Sequence, residues 1–357
     1  MQPTPLLKAS ILALVSVIIF VACWEHYWRS RGFAATYNDD KVLWAAKRKE
    51  VYKPPDQATV FIGGSRIKFD LDVPTWEKLT GEEAIQLAIV GTPARLTLRD
   101  LANDEKFKGK LIIDVAESQF FSIDTVRRDK SAREAIEYYY KETPAQKASA
   151  SIDYCLESHL VFLEEGKFGL NALLNDLQIP NRPGVAAPLV LPKEFGVTGF
   201  NRQTFMSPMF LSDPHLQKRQ KDVMIRVMIT VMNTPPFLKG DNLDALLKGI
   251  KTSIDKIRSR GGLVMFVRPP SSGDLLENEK RVFPRQQYWD RLLAYTNTPG
   301  IHFSDYPGIA NFACPEWSHL APKDGAIFTE QLVKILLDEK GWTFPNKTKL
   351  TTYDLNR

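Results

Sequence analysis

Two short stretches of this chain combine residue types and spacing suited to acid–base or nucleophilic chemistry. One is a serine behind two glycines, Gly63-Gly64-Ser65, and the other a carboxylate three residues ahead of a histidine, Glu316-Trp317-Ser318-His319. Each has a plain structural alternative: the Ser can cap the helix that follows an apolar run, and the Glu–His pair can cap a turn. Gln119 contributes a side-chain amide, Ser118 beside it a hydroxyl, and Gly91 ends a further apolar run. Arg66 and Arg268 can hold a phosphate or carboxylate, or equally pair with Glu117 or Asp70. The remaining histidines, His26, His159, His215 and His302, have no neighbours that suggest chemistry. No Cys or His spacing makes a metal site, and no cofactor is expected.

These residues act together only if one fold gathers them. Five short apolar runs, Thr59–Ile62, Ile85–Val90, Leu111–Val115, Leu263–Val267 and Ile301–Phe303, lack polar alternation and end in Gly, Ser or Pro signals. Such runs suit strands buried on both faces of a parallel sheet. Helical patterns lie between them, at Leu96–Ala102, Leu243–Ile257, Tyr288–Tyr295 and Ala326–Leu337. The alternation predicts an open, mainly parallel five-stranded α/β sheet with flanking helices, whose site lies beyond the C-terminal strand ends. Every candidate above falls there: Ser65 after the first run, Gly91 after the second, Gln119 after the third, Arg268 after the fourth, and E-x-x-H before the last helix.

That order resembles the SGNH/GDSL hydrolase superfamily. Gly63-Gly64-Ser65 matches its Gly-x-Ser turn, Gly91 in LAIVGTPARL its second block, and Glu316-Trp317-Ser318-His319-Leu320 with Gly325 its final D-x-x-H-L block. The likeness covers about Thr59–Gln119 and Gly262–Leu337. Within the superfamily it is nearest to membrane-anchored DltD-type proteins and to anchored acyltransferase-like proteins that work beside membrane-bound O-acyltransferases. Gln119-Phe120-Phe121 fits the third-strand block of the former. Two departures stand out: no Asn occupies the usual G-x-N-D block, and Glu316 replaces the customary Asp. The resemblance implies a Ser65–His319–Glu316 triad, with oxyanion donors at Ser65, Gly91 and Gln119 (Ser118 as the rival to Gln119) and acceptor binding by Arg66 and Arg268. It implies O-acyl transfer or ester hydrolysis on a cell-envelope glycan or polymer, with a membrane-bound O-acyltransferase as partner. A non-catalytic scaffold of such a complex is the alternative.

Composition agrees with a globular protein: 44% hydrophobic and 25% charged residues, with 47 basic against 42 acidic side chains. A net charge of +5 is too dilute to argue for nucleic acid. The expected organisation is a signal-anchor or transmembrane segment at 1–28, a stalk or N-terminal helix at 29–55, an α/β domain at 56–345 with an insertion at about 122–260, and a tail at 346–357. The insertion separates strands three and four and is far longer than a crossover requires. Part of its Gly184–Pro208 stretch is expected to cover the Ser65 side of the sheet. Its aromatics, Tyr138–Tyr140, Phe195, Phe200 and Phe205, suit sugar stacking, a membrane partner or plain core. Cys155 and Cys314 are the pair that an oxidising exterior could join.

The uncharged stretch Ala9–Cys23, extended by Leu6, Leu7 and Trp24, approaches the roughly 30 Å needed to span hydrocarbon, and Trp24, Tyr27 and Trp28 suit the interface. Bulky residues follow it where a small-residue cleavage site would lie. A single-pass membrane protein with its main domain extracytoplasmic is therefore expected. Alkaline extraction of membranes should leave the full-length chain in the pellet; a mature N-terminus beyond residue 24 would instead reveal a cleaved leader.

Overall fold

Five strands form one parallel sheet: β1 (Ala58–Ile62), β2 (Glu83–Gln86), β3 (Lys110–Asp114), β6 (Leu263–Arg268) and β7 (Gly300–His302), in the order β2-β1-β3-β6-β7. The computed structural model describes residues 5–123, 128–175, 177, 192–229 and 237–346. The expected tail at 346–357, after its first residue, and the first eight residues of Gly184–Pro208 lie outside them.

Burial on both faces explains the unbroken apolar runs. Val60, Ile62, Leu111, Ile113, Val264 and Phe266 face one layer, which includes Leu98, Leu247, Ile254 and Trp289. Phe61, Ile112, Met265 and Val267 alternate to the other face, against Ile67, Trp76, Phe328 and Leu332. The chain leaves β1 toward β2 on one side and reaches β3 on the other, so the sheet reverses its winding between β1 and β3. At such a reversal the loops after the two strands part and leave a crevice. Ser65 opens the helix that follows the first of these loops, and Gln119 lies in the single helical turn that follows the second.

The structure divides into two compact units. The larger comprises 39–143 and 189–357 and contains the sheet. Within the segment expected as a stalk or N-terminal helix, Lys41–Arg48 forms helix α2, capped by the Asp40 carboxylate. Leu43, Trp44 and Ala45 are buried, and the Trp44 indole donates to the Leu87 carbonyl at 3.0 Å. Arg48 pairs with Asp100 and Asp104, at 2.8 Å each, which ties α2 to the helix Arg95–Asn103. Tyr139 and Tyr140 hydrogen-bond to Tyr52 and Asp100, and Tyr139 also packs on the core while Tyr140 stays exposed. A two-stranded antiparallel hairpin, β4 (Gly196–Thr198) with β5 (Thr204–Met206), follows the described start of the segment at Pro192.

The smaller unit comprises 1–38 and 144–188. Its helix α1 (Pro5–Ser30) is long and apolar enough to cross a membrane. Trp28 at its far end packs on Val161 and on Phe168, whose ring centroid lies 4.6 Å away. Cys155 is exposed in this unit, Cys314 is buried in the larger one, and both are free thiols.

If α2 belongs to the sheet's core, Trp44→Ala should cost about 3–5 kcal/mol in urea unfolding. A stalk standing apart from the sheet would lose almost nothing.

Candidate functional site

The turn after β1 is built around missing side chains. A Cβ on Gly63, whose φ is +155°, would lie 2.3 Å from the Asp114 Cβ, and one on Gly64 would lie 2.4 Å from the Gln119 Oε1. At Gly63 only glycine lets the end of β3 approach so closely. The approach is fixed by the Gly64 N–H, which donates to the Asp114 carboxylate at 3.0 Å. Burial raises the Asp114 carboxyl to about 6, against the opposing pull of that N–H and of Arg66. Gly64 is the N-cap of helix α3 (Ser65–Asp70) and makes no side-chain cap, so Ser65 is the first helical residue rather than the cap. Its side chain is half-exposed.

Glu316 and His319 meet directly. Glu316 Oε1 accepts from the His319 backbone N–H at 2.7 Å, from the Ser318 N–H at 3.2 Å and from the ring Nδ1 at 2.8 Å. Capping and acid–base pairing are thus the same contact here. With Nδ1–H donating to a carboxylate, the neutral ring carries its lone pair on Nε2. His319 is 4% exposed, and its Nε2 has no hydrogen-bond partner. The turn that makes this possible puts Trp317 at φ +77°, a left-handed conformation costly for a bulky residue.

Helix α3 carries the link between the two motifs. Phe69 stands one helical turn beyond Ser65, on the same face, and its ring lies 4.5 Å from that of His319. Asp70, next in sequence, accepts the Leu320 N–H at 2.8 Å. Gly325 packs on the Asp70 carbonyl, where a Cβ would come to 3.2 Å. The Leu and Gly of the last block therefore clamp α3. From the hairpin side, the Phe195 ring lies 5.2 Å from Phe69 and 5.9 Å from His319. The hairpin is pinned by Arg202, in left-handed backbone at φ +62°, which donates to the Gln86 and Ala88 carbonyls at 2.8 and 3.1 Å. The described part of Gly184–Pro208 thus packs on the His319 end of the site.

Gln119 reaches the Ser65 turn from the first turn after β3, with its Oε1 buried beside Gly64 and unpartnered. Gly91 occupies an exposed turn at φ +71°, where the backbone itself demands glycine and a Cβ would meet nothing. The part of that loop nearest the Gly64 position is the Thr92 carbonyl.

Arg66 and Arg268 are held in ion pairs, the second of the two roles their types allowed, and Glu117 is one of the partners expected. Both are buried and bind Glu279, and Arg268 also donates to Glu117 at 3.1 Å and to Ser271 at 2.8 Å. Burial pushes the Glu279 carboxyl upward, but the two guanidiniums outweigh it and hold it at about 2. The network joins the residue after Ser65, the end of β6, the start of the loop after β3 and the helix Gly273–Val282. Sequence reasoning missed Glu279, Asp114 and Phe69, and named Phe195 only among the aromatics of the insertion. Of the three missed, only Asp114 leaves a signal, as an acid within the apolar run Leu111–Val115. No protein-family model and no curated protein sequence matches the chain.

Replacing Glu279 by Gln leaves two buried cations short of a counter-charge and should cost about 3–5 kcal/mol at neutral pH. Because its folded pKa of about 2 lies below the ordinary 4.5, the stability it supplies is complete above pH 4.5 and lost as pH falls toward 2. Unfolding curves of Glu279→Gln across that window should be flatter than those of the parent chain.

Proposed function

We propose that this chain is a membrane-anchored, serine-dependent acyl-transfer protein of the SGNH type. Its α/β domain faces the extracytoplasmic side and catalyses O-acyl transfer or ester hydrolysis on a cell-envelope glycan or polymer. The observation that carries this reading is the state of His319. Its Nδ1 is engaged by a buried carboxylate, its Nε2 is unclaimed, and its ring rests on α3 one turn past Ser65. A carboxylate on Nδ1 and an unclaimed Nε2 are two of the features a general base for a serine nucleophile needs.

In the proposed reaction Ser65 Oγ attacks the acyl carbonyl while His319 Nε2 takes its proton. Glu316 stabilises the imidazolium and keeps Nδ1 protonated. The oxyanion is met by the backbone N–H groups of Ser65 and Gly91 and by the Gln119 amide, whose NH2 reaches the Gly64 side after a half-turn of its last torsion. One such donor is worth about 2.7–4 kcal/mol of barrier. The leaving oxygen takes the proton from His319, and an acceptor hydroxyl, or water, then attacks the Ser65 ester by the reverse sequence. Phe195 beside His319 favours transfer over hydrolysis, because a covered base activates a positioned acceptor ahead of bulk water. By the same resemblance, the partner is a membrane-bound O-acyltransferase.

A second reading, a non-catalytic scaffold of such a complex, is favoured by the absence of an Asn in the third block and by a His319 Nε2 that Ser65 does not engage. A fluorophosphonate probe separates the two. Catalysis predicts labelling at Ser65, abolished in Ser65→Ala and His319→Ala and slowed about 10³–10⁴-fold in Glu316→Gln. A scaffold predicts a folded chain that does not label.

A further inference from the structure

The smaller unit carries apolar surface that its own core does not use. In the helix Pro144–Glu157, Ala150, Glu157 and the half-buried Tyr154 share the packed face. At about 100° per residue, Ala145, Ala148, Ile152, Cys155 and Leu156 fall together on the opposite side, flanked by Lys147, Ser149, Ser151 and Asp153. Ile152 and Leu156 are 61% and 43% exposed. The helix Leu170–Asn175 repeats the arrangement, with Leu173 packed inward and Leu170 and Leu174, one turn apart, 73% and 47% exposed.

The segment just after the first helix, and Leu173 of the second, are bound to one level of α1. The Val161 N–H donates to the Glu25 carboxylate at 2.9 Å, Arg29 donates to the His159 carbonyl at 2.8 Å, and Leu173 packs on the Trp24–Trp28 cluster. That level is where the apolar stretch of α1 ends and its aromatic residues begin, the depth of lipid headgroups for a spanning helix. Exposed leucine and isoleucine surface is thus tethered at that depth of the helix.

We propose that the helices Pro144–Glu157 and Leu170–Asn175 lie in the bilayer interface as an apolar collar around the anchor. The occupant of their exposed faces is the headgroup–acyl boundary of the membrane. This rests on reading α1 as a membrane span. The segment 144–175 carries Lys147 and Lys167 against Asp153, Glu157, Glu164 and Glu165, so its contact with lipid is apolar rather than electrostatic. Neutral lipid suffices, and salt does not release it.

Cys155 lies within the apolar stripe and permits a direct test. In Cys23→Ala the exposed thiol left among the cysteines is Cys155, because Cys314 is buried. The full chain, carrying an environment-sensitive nitrobenzoxadiazole at Cys155, is reconstituted in phosphatidylcholine vesicles with and without doxyl-labelled lipid. A second preparation carries the probe at Lys147→Cys, off the stripe, in a Cys23→Ala, Cys155→Ser background. The collar predicts blue-shifted emission and strong doxyl quenching at 155, weak quenching at 147, and no change in high salt. Water-like emission at 155, or equal quenching at both sites, would overturn it. So would a blue shift without doxyl quenching, which would mean that a second copy or another protein covers the face. Flotation of the same vesicles tests the anchor separately: a chain that fails to float removes both readings, whereas one that floats with an unquenched probe at 155 removes the collar alone.

Discussion

One carboxylate shared by two buried arginines holds this site in shape. Glu279 binds Arg66, the residue after the candidate nucleophile, and Arg268, at the end of β6; Arg268 in turn binds Glu117 after β3. Burying such charges costs several kcal/mol per ion unless geometry and hydrogen bonds compensate. Here the pairs tie the residue after Ser65 and the segment after β3 to the end of β6 and the helix that follows it, so the compensation exists only when those strand ends are in register. The network therefore contributes positional specificity to the Ser65 turn, more than it contributes net stability.

Local strain is spent around the same point. Trp317 and Arg202 adopt left-handed backbone, and Gly63 and Gly64 accept the close approach of Asp114 and Gln119. Each feature orients a group of the site: Trp317 turns Glu316 under the His319 ring, Arg202 holds the hairpin that carries Phe195, and the two glycines let β3 reach the helix start. Distortions of this kind cost about 1–3 kcal/mol each and persist only where surrounding contacts over-determine them. Clamping of α3 by Leu320 and Gly325 is such a contact set.

The sheet was legible because its strands are buried on both faces, which leaves continuous apolar runs that a solvent-facing strand would not have. Glu316 and His319 were legible because they are three residues apart, and their contact follows from one turn of chain. Arg66 and Glu279 are separated by 213 residues, and nothing local in either marks the pairing. The burial of both arginines, which turned expected acceptor ligands into structural ions, was hidden for the same reason. Phe195 lies in a stretch without periodicity, where side-chain placement follows from tertiary packing alone. Its position beside His319 becomes visible only once the hairpin is pinned by Arg202. For the segment 29–55 the sequence left a stalk and an N-terminal helix open, because α2 is polar on most of its surface and buries its contribution through Leu43, Trp44 and Ala45.

The central claim is that Ser65 and His319 form a working nucleophile–base pair, and a trapped intermediate tests it most directly. The chain would be mixed with an activated ester such as p-nitrophenyl acetate, quenched in acid within the turnover time, and mapped by peptide mass spectrometry. The account predicts an acetyl group on Ser65 Oγ in the parent chain and none in His319→Ala. Turnover of the ester with Ser65 unmodified, or an acetyl group that accumulates equally in His319→Ala, would contradict it.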